Sequence, residues 1–341
     1  MTDQRIQELS NKIEDYEQTV QALLAFAAFV VHDGQSFRPS SRFGLGRRML
    51  TSEKNIVNPS ADITPDLVAQ KSSDYGIIAE AKKSLSKDQE NWLHDLTQLR
   101  KYDDDLVGWW TGDEKITTAD TILLVHISRS RQFARFFSDS QTDEIKVGPN
   151  TSIVEFSRAD ESTTFFFFRL EEGNISDKDL APGLEDGIPV PLDKVLESFG
   201  TITYYDREPP IVFLVKELWL MVFPEMASGG EFDEAVKSVR FEASVSKVTK
   251  ELQNAWGSGA LFRDSRSREF PKIDWVRNAF NWLVDHQLAF PPTANNDSYT
   301  VLYKTIKGDV QERFIRLEVT AKKKAIPAQA LKAQATLFNN E

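Results

Sequence analysis

Asp66 closes the tripeptide Thr64-Pro65-Asp66 just before Leu67-Val68, and Glu80-Ala81-Lys82 ends the apolar run Tyr75-Gly76-Ile77-Ile78-Ala79. Sixteen residues beyond Lys82 comes Gln98-Leu99-Arg100-Lys101-Tyr102. An acid at the start of one short strand, Glu-x-Lys at the end of the next and Gln-x-x-x-Tyr on a following helix form an arrangement suited to cleaving a phosphodiester, with nucleic acid as the expected target. Such cleavage near neutral pH needs a metal ion to neutralise developing charge and activate a water, and hard Mg²⁺ prefers carboxylate and carbonyl oxygens. Asp66 and Glu80 would supply carboxylates, and the Ala81 carbonyl a further oxygen. Side chains alternate along a strand, so Glu80 and Lys82 face the same way. Lys82 would then orient or deprotonate the water. Gln98 and Tyr102, four apart, share one helical face that would close over the metal and touch the substrate backbone.

The elements that must position these groups are two apolar strands and an amphipathic helix spanning Lys87 to Asp105. Each piece has an ordinary reading as well. Pro-Asp is a common turn, Glu-x-Lys arises by chance in charged chains, and a Gln/Tyr pair four apart is usually plain helix surface. Order, spacing and placement together are much harder to obtain by chance.

In these residues the chain resembles the PD-(D/E)xK nuclease superfamily, and the Gln98/Tyr102 pair is similar to the motif of its RecB-like branch. The resemblance covers roughly the first half of the chain. It implies a restriction-endonuclease-like α/β core with a central mixed sheet, and DNA cleavage dependent on Mg²⁺, with Mn²⁺ as a substitute. It also implies a third acid on an early helix. The segment Tyr16 to Leu24 is similar to the superfamily's early aromatic-Glu segment and makes Glu17 the candidate, with Glu14 and Glu53 as alternatives.

Composition bounds the rest. The 341 residues suffice for two domains, and 40% hydrophobic with 27% charged residues is ordinary for a globular protein. No cysteine is present, which excludes disulfides, thiolate nucleophiles and cysteine-based zinc sites. His32, His94, His126 and His286 are scattered without metal-ligand spacing; only His94 lies near the Gln98 face. The apolar stretch Val20 to Val31 follows acidic residues and is too short to cross a bilayer, and Ile211 to Phe223 is broken by Lys216 and Glu217. Both read as buried helices, and a cytoplasmic location is the expectation.

Charge divides the chain. From Ala235 to the end there are 17 Lys+Arg and 11 Asp+Glu, a net +6, whereas the preceding part carries net −17. A basic C-terminal part on an acidic protein is where a nucleic-acid backbone would dock, although a solvated surface with the Lys322-Lys323-Lys324 tail accounts for the charge too. Pro210 to Pro224 reads as an apolar helix, Val239 to Ala243 as a strand, Val245 to Trp256 as a helix with Lys247 and Lys250 outward, and Ile273 to Val284 as a helix of strong periodicity. Ser298 to Ile306 and Val310 to Thr320 are expected as strands joined at Lys307-Gly308-Asp309. This order resembles a winged helix-turn-helix domain. The resemblance implies that Arg277 and Asn278 read bases while Lys272 and Lys307 hold phosphates, with protein docking as the alternative use of such a domain.

Strands at Thr121 to Ile127, Ser152 to Phe156 and Thr163 to Leu170 would continue the nuclease sheet, and the Phe165 to Phe168 run suits burial on both faces. Arg129 and Arg131 begin the helix after the first of these, either on phosphate or simply solvated. Glu171 to Pro210, rich in Gly, Pro and Asp, reads as a connection with a short helical pattern at Leu192 to Phe199. The expected division is 1–170 for the nuclease domain, 171–208 for the connection, 209–320 for the winged-helix-like domain and 321–341 for a basic tail, with a terminal helix from Pro327. Arg38, Arg42, Arg47 and Arg48 surround Phe43-Gly44-Leu45-Gly46 before the metal-binding strands, as a DNA-contacting loop or a plain surface loop.

The expectation is therefore a Mg²⁺-dependent DNA endonuclease, and the resemblance suggests restriction or anti-phage defence as its setting. A non-catalytic DNA-binding or assembly subunit on a nuclease fold is the competing class, and RNA cleavage a third. Homodimerisation would allow both strands to be cut together. The chain carries no ATPase motif, so nucleotide-driven translocation or activation would come from a protein partner.

Overall fold

The computed structural model describes residues 2–30, 45–46, 50–52, 62–82, 92–93, 96, 99, 102, 106–109, 116–139, 150–160, 164–193, 195, 207–235, 237–256, 270–292 and 297–321. The fold is mixed α/β, divided into two compact units. One comprises Glu17–Thr203 with Ser258–Ser267; the other comprises Met1–Tyr16, Tyr204–Gly257 and Arg268–Glu341. Helix α1 (Thr2–Val30) contributes to both.

The first unit is built on a seven-stranded sheet. Its strands are β1 (Leu45–Gly46), β4 (Leu67–Gln70), β5 (Tyr75–Lys82), β7 (Thr118–His126), β8 (Thr151–Asp160), β9 (Thr164–Glu172) and β10 (Ile188–Pro191), adjacent in that order. β5, β7 and β8 run parallel, and every other pairing is antiparallel. A small sheet of β2 (Leu50–Ser52), β3 (Asp62–Ile63) and β6 (Leu106–Val107) accompanies it. Runs such as Ile77–Ile78–Ala79 and Ile122–Leu123–Leu124–Val125 are buried on both sides, as central strands with two covered faces require. On one face Phe26 of α1 meets Phe168 edge to face at 5.4 Å. On the other, Val68, Ile78, Leu123, Val125 and Ile153 share one core with Trp92, Leu96, Leu99 and Tyr102 and with Phe133 and Phe137 of α2 (Ser130–Asp139).

Two expectations for this unit change. Phe166 and Phe168 are buried, but Phe165 and Phe167 are only half-covered, so β9 buries one face fully rather than both. The segment beyond Glu171 does more than connect: it forms α3 (Ala181–Asp186) and then β10, which pairs with β9 from Ile188↔Phe168 to Pro191↔Phe165. Pro189 and Pro191 suit an edge strand, where one side of the backbone needs no ladder donor.

At the opposite end of the sheet from Lys82, the fully buried Asp120 of β7 accepts three hydrogen bonds. The donors are the Tyr75 hydroxyl (2.6 Å), the Ser176 hydroxyl (2.6 Å) and the Ser176 N–H (2.7 Å). Burial, reinforced by the Asp120 contact, pushes the Tyr75 hydroxyl far above its ordinary range, so it stays a donor. One residue along β5, Gly76 lies beneath Trp109, and a Cβ there would sit 2.2 Å from the indole ring.

The second unit packs helices on a four-stranded antiparallel sheet. α4 (Ile211–Glu217) passes through a π turn (Leu218–Val222) into α5 (Phe223–Ala227). The widened turn ends two residues before Pro224, which lacks an N–H and crowds the carbonyl four residues back. β11 (Glu231–Asp233) and β12 (Ser238–Ser244) follow, then α6 (Val245–Trp256), α7 (Ile273–Asp285), β13 (Ala289–Phe290), β14 (Ser298–Tyr303) and α8 (Val310–Ala321). The strand order is β11-β12-β14-β13. Trp219, Phe223, Phe280 and Phe314 are buried together through edge-on and tilted ring contacts. Asp297, just before β14, accepts the Ser246 N–H (3.1 Å) and the Ser244 hydroxyl (3.2 Å), tying the β13–β14 connection to the start of α6.

The expected hairpin at Lys307-Gly308-Asp309 is overturned. Val310–Ala321 is a helix, and the hairpin partner of β14 is the earlier β13. Asp309 caps that helix: its carboxylate accepts the Glu312 N–H at 3.0 Å, and its carbonyl accepts the Arg313 N–H at 3.2 Å. Val310, Phe314, Ile315 and Val319 form the buried stripe, and Glu312 pairs with Arg316 one turn on. Gly-Asp therefore marks a helix start where it reads equally well as a turn.

Gly76→Ala is expected to lower stability by about 1–3 kcal/mol, the usual effect of forcing extra volume into a packed core. Urea unfolding measures it, and an unchanged midpoint would show that Trp109 does not hold its place over β5.

Candidate active site

The pairing of β4 with β5 sets Leu67 against Ala79, and the next step of the antiparallel ladder places Asp66 opposite Glu80. The Ala81 N–H donates to the Asp66 carboxylate at 2.9 Å. Along β5, Ala79 and Ala81 are buried while Glu80 and Lys82 keep partial exposure, so the two charged side chains share the face that the alternation requires. Tyr102 follows the last described helical residue of its segment, Leu99, whose carbonyl accepts the Tyr102 N–H at 3.0 Å. Its ring is buried among Trp92, Leu96 and Leu99, and its hydroxyl donates to Glu80 Oε1. Asp66, Glu80, Lys82 and Tyr102 are thereby gathered at one sheet end from residues up to 36 positions apart.

The electrostatics follow from that geometry. Burial, and then the charge of Glu80 opposite, push the Asp66 carboxyl from an ordinary 3.8 up to about 8, while the Ala81 N–H and the charge of Lys82 pull it down. A hydrogen bond with Glu80 adds to the rise, so near neutral pH the pair holds a proton between its oxygens. Two carboxylates forced together with a shared proton form a donor set that a divalent cation fits, because the cation supplies the missing positive charge to both.

The remaining expected residues are placed as follows. Gln98, Arg42, Arg47, Arg48, Arg38, Glu53 and His94 lie outside the described residues, as do Lys322 to Lys324 and the segment from Pro327. Glu17 is half-buried on α1; among the described residues no cluster of three or more acidic, imidazole or thiol side chains forms, so Asp66 and Glu80 stand as a pair. In the other unit, Lys272 is exposed at the start of α7 with its ammonium 5.8 Å from the Phe270 ring and 5.7 Å from the Trp275 ring. Arg277 pairs with Asp274, and the exposed Asn278 reaches Glu208 at 3.5 Å. Lys307 is exposed in the segment between β14 and α8, not on a hairpin. No described helix is long and apolar enough to cross a membrane.

Sequence reasoning missed the Ala81 N–H as the group that holds Asp66, having considered only its carbonyl. The signal was available: an acid directly opposite Glu80 in an antiparallel pair lies within reach of the following amide.

Because folded Asp66 keeps a proton that the unfolded chain releases near pH 3.8, the folded state binds more protons between pH 3.8 and about 8. Stability contributed at this residue is therefore greatest below that window and falls as pH rises through it. Melting temperatures of the metal-free protein across that range should decline less steeply in Asp66→Asn than in wild type. Parallel curves for the two proteins would remove the carboxyl-pair account.

No family model matches the chain, and no curated protein or solved structure matches it either.

Proposed function

We propose that the protein is a metal-dependent nuclease that hydrolyses phosphodiester bonds in DNA. The observation that carries this reading is the opposition of Asp66 and Glu80 at the end of β5, with Lys82 on the same face and Tyr102 fixed on Glu80. Asp66 and Glu80 would hold Mg²⁺ or Mn²⁺, with the Ala81 carbonyl as the proposed further oxygen; Glu17 on α1, the third acid that the resemblance implies, forms no cluster with them among the described residues. When bound, such an ion neutralises charge developing on the phosphate and makes water a better nucleophile. The chain's own groups have distinct parts. The Ala81 N–H keeps Asp66 aimed at its partner, and the Tyr102 hydroxyl keeps Glu80 in a single orientation. Lys82, whose positive charge acts on Asp66, would orient the attacking water and the scissile phosphate through its Nζ–H donors. Gln98, one turn before Tyr102 in sequence, is assigned to the substrate backbone.

For the second unit we infer a winged-helix-like module that holds DNA. Its order of α4, β12, α6, α7, then the β13–β14 hairpin, with β14 seated between β12 and β13, supports this reading. On it Lys272, Arg277 and Asn278 belong to the recognition helix, and the β13–β14 hairpin, which does not include Lys307, would supply the wing. A homodimer that cuts both strands, an activating or ATP-driven partner, a cytoplasmic location and a role in restriction or phage defence complete the proposal. The rival reading is a DNA-binding or assembly subunit without hydrolysis.

Supercoiled plasmid, linear single- and double-stranded DNA and an RNA strand, each with Mg²⁺ or Mn²⁺, distinguish these readings. Wild type should cut DNA only with metal, and Lys82→Ala should lower the rate by about 10²–10⁴-fold with binding kept. Binding without cutting by both proteins favours the platform reading, and cutting that requires a 2′-OH moves the substrate to RNA.

A further inference from the structure

The acidic part of the chain contains one short basic run with a defined position. From Ile127 to Phe137 there are three arginines, Arg129, Arg131 and Arg135, and no acid. Five arginines of the central-sheet unit are described, and they fall into two groups. Arg158 pairs with Asp160 at 3.1 Å, and Arg169 pairs with both Glu155 (3.0 Å) and Glu171 (2.7 Å). The Arg129 guanidinium bonds the neutral Gln132, at 3.0 Å, and Arg131 and Arg135 lie exposed on α2; none of the three has an ion-pair partner among the described residues. Glu155, a buried acid that touches the first residue of α2, is already engaged by the Ser130 hydroxyl at 2.5 Å and by Arg169. Asp139, the one acid of α2, closes the helix a turn beyond Arg135 and forms no ion pair among the described residues, so α2 keeps an excess of positive charge where the sheet's other arginines are paired.

Position gives that charge a use. Lys82 on β5 is the register partner of Val125 on β7, and α2 begins five residues after Val125. The Arg129 N–H bonds the carbonyl of His126, the last residue of β7, at 2.9 Å, so the arginines start one turn past the carboxyl end of the strand beside Lys82. Ligands of open α/β sheets settle outside those carboxyl ends. Arg131 and Arg135 are one helical turn apart, about 6 Å along the axis, comparable with the step between neighbouring phosphates on one strand. The opposite side of α2 is anchored: Phe133 and Phe137 are buried in the core that holds Tyr102, and Trp92 meets Phe133 at 5.6 Å and Phe136 at 5.4 Å. The arginine face is therefore rigidly connected to the Tyr102–Glu80 contact.

We propose that α2 is a phosphate rail: Arg131 and Arg135, with Arg129 at its entrance, bind successive phosphates of the nucleic-acid strand whose scissile bond lies at Lys82. This rests on the nuclease reading of the site. The contacts are to the backbone, so they set affinity and position without selecting a base sequence.

The test is fluorescence anisotropy of labelled single- and double-stranded oligonucleotides with the full-length protein in EDTA, over a NaCl series. Wild type, Arg131→Gln, Arg135→Gln, the double variant and Arg158→Gln as a paired-arginine control are compared, with melting temperatures taken alongside. Each rail substitution should flatten the dependence of log Kd on log salt by about 0.7 for single strands or 0.9 for duplex, additively, with the melting temperature unchanged. The Arg158→Gln variant should keep the wild-type slope. Unchanged slopes in the rail variants overturn the proposal, as does a wild type that binds neither oligonucleotide. The Lys82→Ala cleavage comparison separates the two ideas: cutting with unaltered rail slopes removes the rail alone, and flattened slopes without cutting remove hydrolysis alone.

Discussion

Two carboxyl groups that could not both ionise without repulsion are held face to face by the pairing of β4 with β5. Only an antiparallel neighbour brings the beginning of one strand to the end of the next, so the acid that enters β4 meets the acid that leaves β5. On its other side β5 is parallel to β7, so the same sheet end lies beside the turn that leads into α2. The mixed character of the sheet is thus a requirement of the site. Placing like charges together in a half-buried setting is unfavourable, and the backbone ladder together with the apolar core beneath it supplies the opposing stability.

That core also explains how a tyrosine far along the chain takes part. Trp92, Leu96 and Leu99 recur at spacings of four and three, so one helical stripe sinks into the sheet face and carries Tyr102 down with it. A phenol in such surroundings needs a polar partner, and Glu80 is the acceptor it finds. Hydrophobic burial and the polar contact therefore fix the same position from two sides. The second unit uses aromatic packing in the same way, with Trp219 and Phe280 joining helices to a sheet of four strands.

Much of this arrangement was legible in the sequence where one periodicity dominates. The apolar runs of β5, β7 and β8 and the stripes of α6 and α7 allow one reading each, and Asp66, Glu80, Lys82 and Tyr102 meet as their spacing requires. Legibility failed where one residue pair serves two structures. Gly308-Asp309 fits a hairpin turn and a helix cap equally, and only the burial of Phe314 and Ile315 against the rest of the unit decides between them. Pro189 and Pro191 look like connection because the ladder they join has a single partner. The excess positive charge of α2 was hidden for a different reason: whether an arginine is paired depends on acids brought near by the fold, as the contrast between Arg131 and Arg169 shows.

The clasp of Tyr75 and Ser176 on Asp120 has a consequence at a distance. β5 could in principle slide along β7 by one residue and still form a parallel ladder, with Ile77, Ile78 and Ala79 offering similar bulk at each step. Such a slip would turn Glu80 and Lys82 to the face occupied by α1 and leave Ala81 where the acids now meet. The Tyr75 hydroxyl reaches Asp120 in only one of those alignments, because its hydrogen bond has a fixed length and the carboxylate is fully enclosed. The clasp thus acts as an indexing pin: a contact at one end of a strand decides which side chains meet at the other.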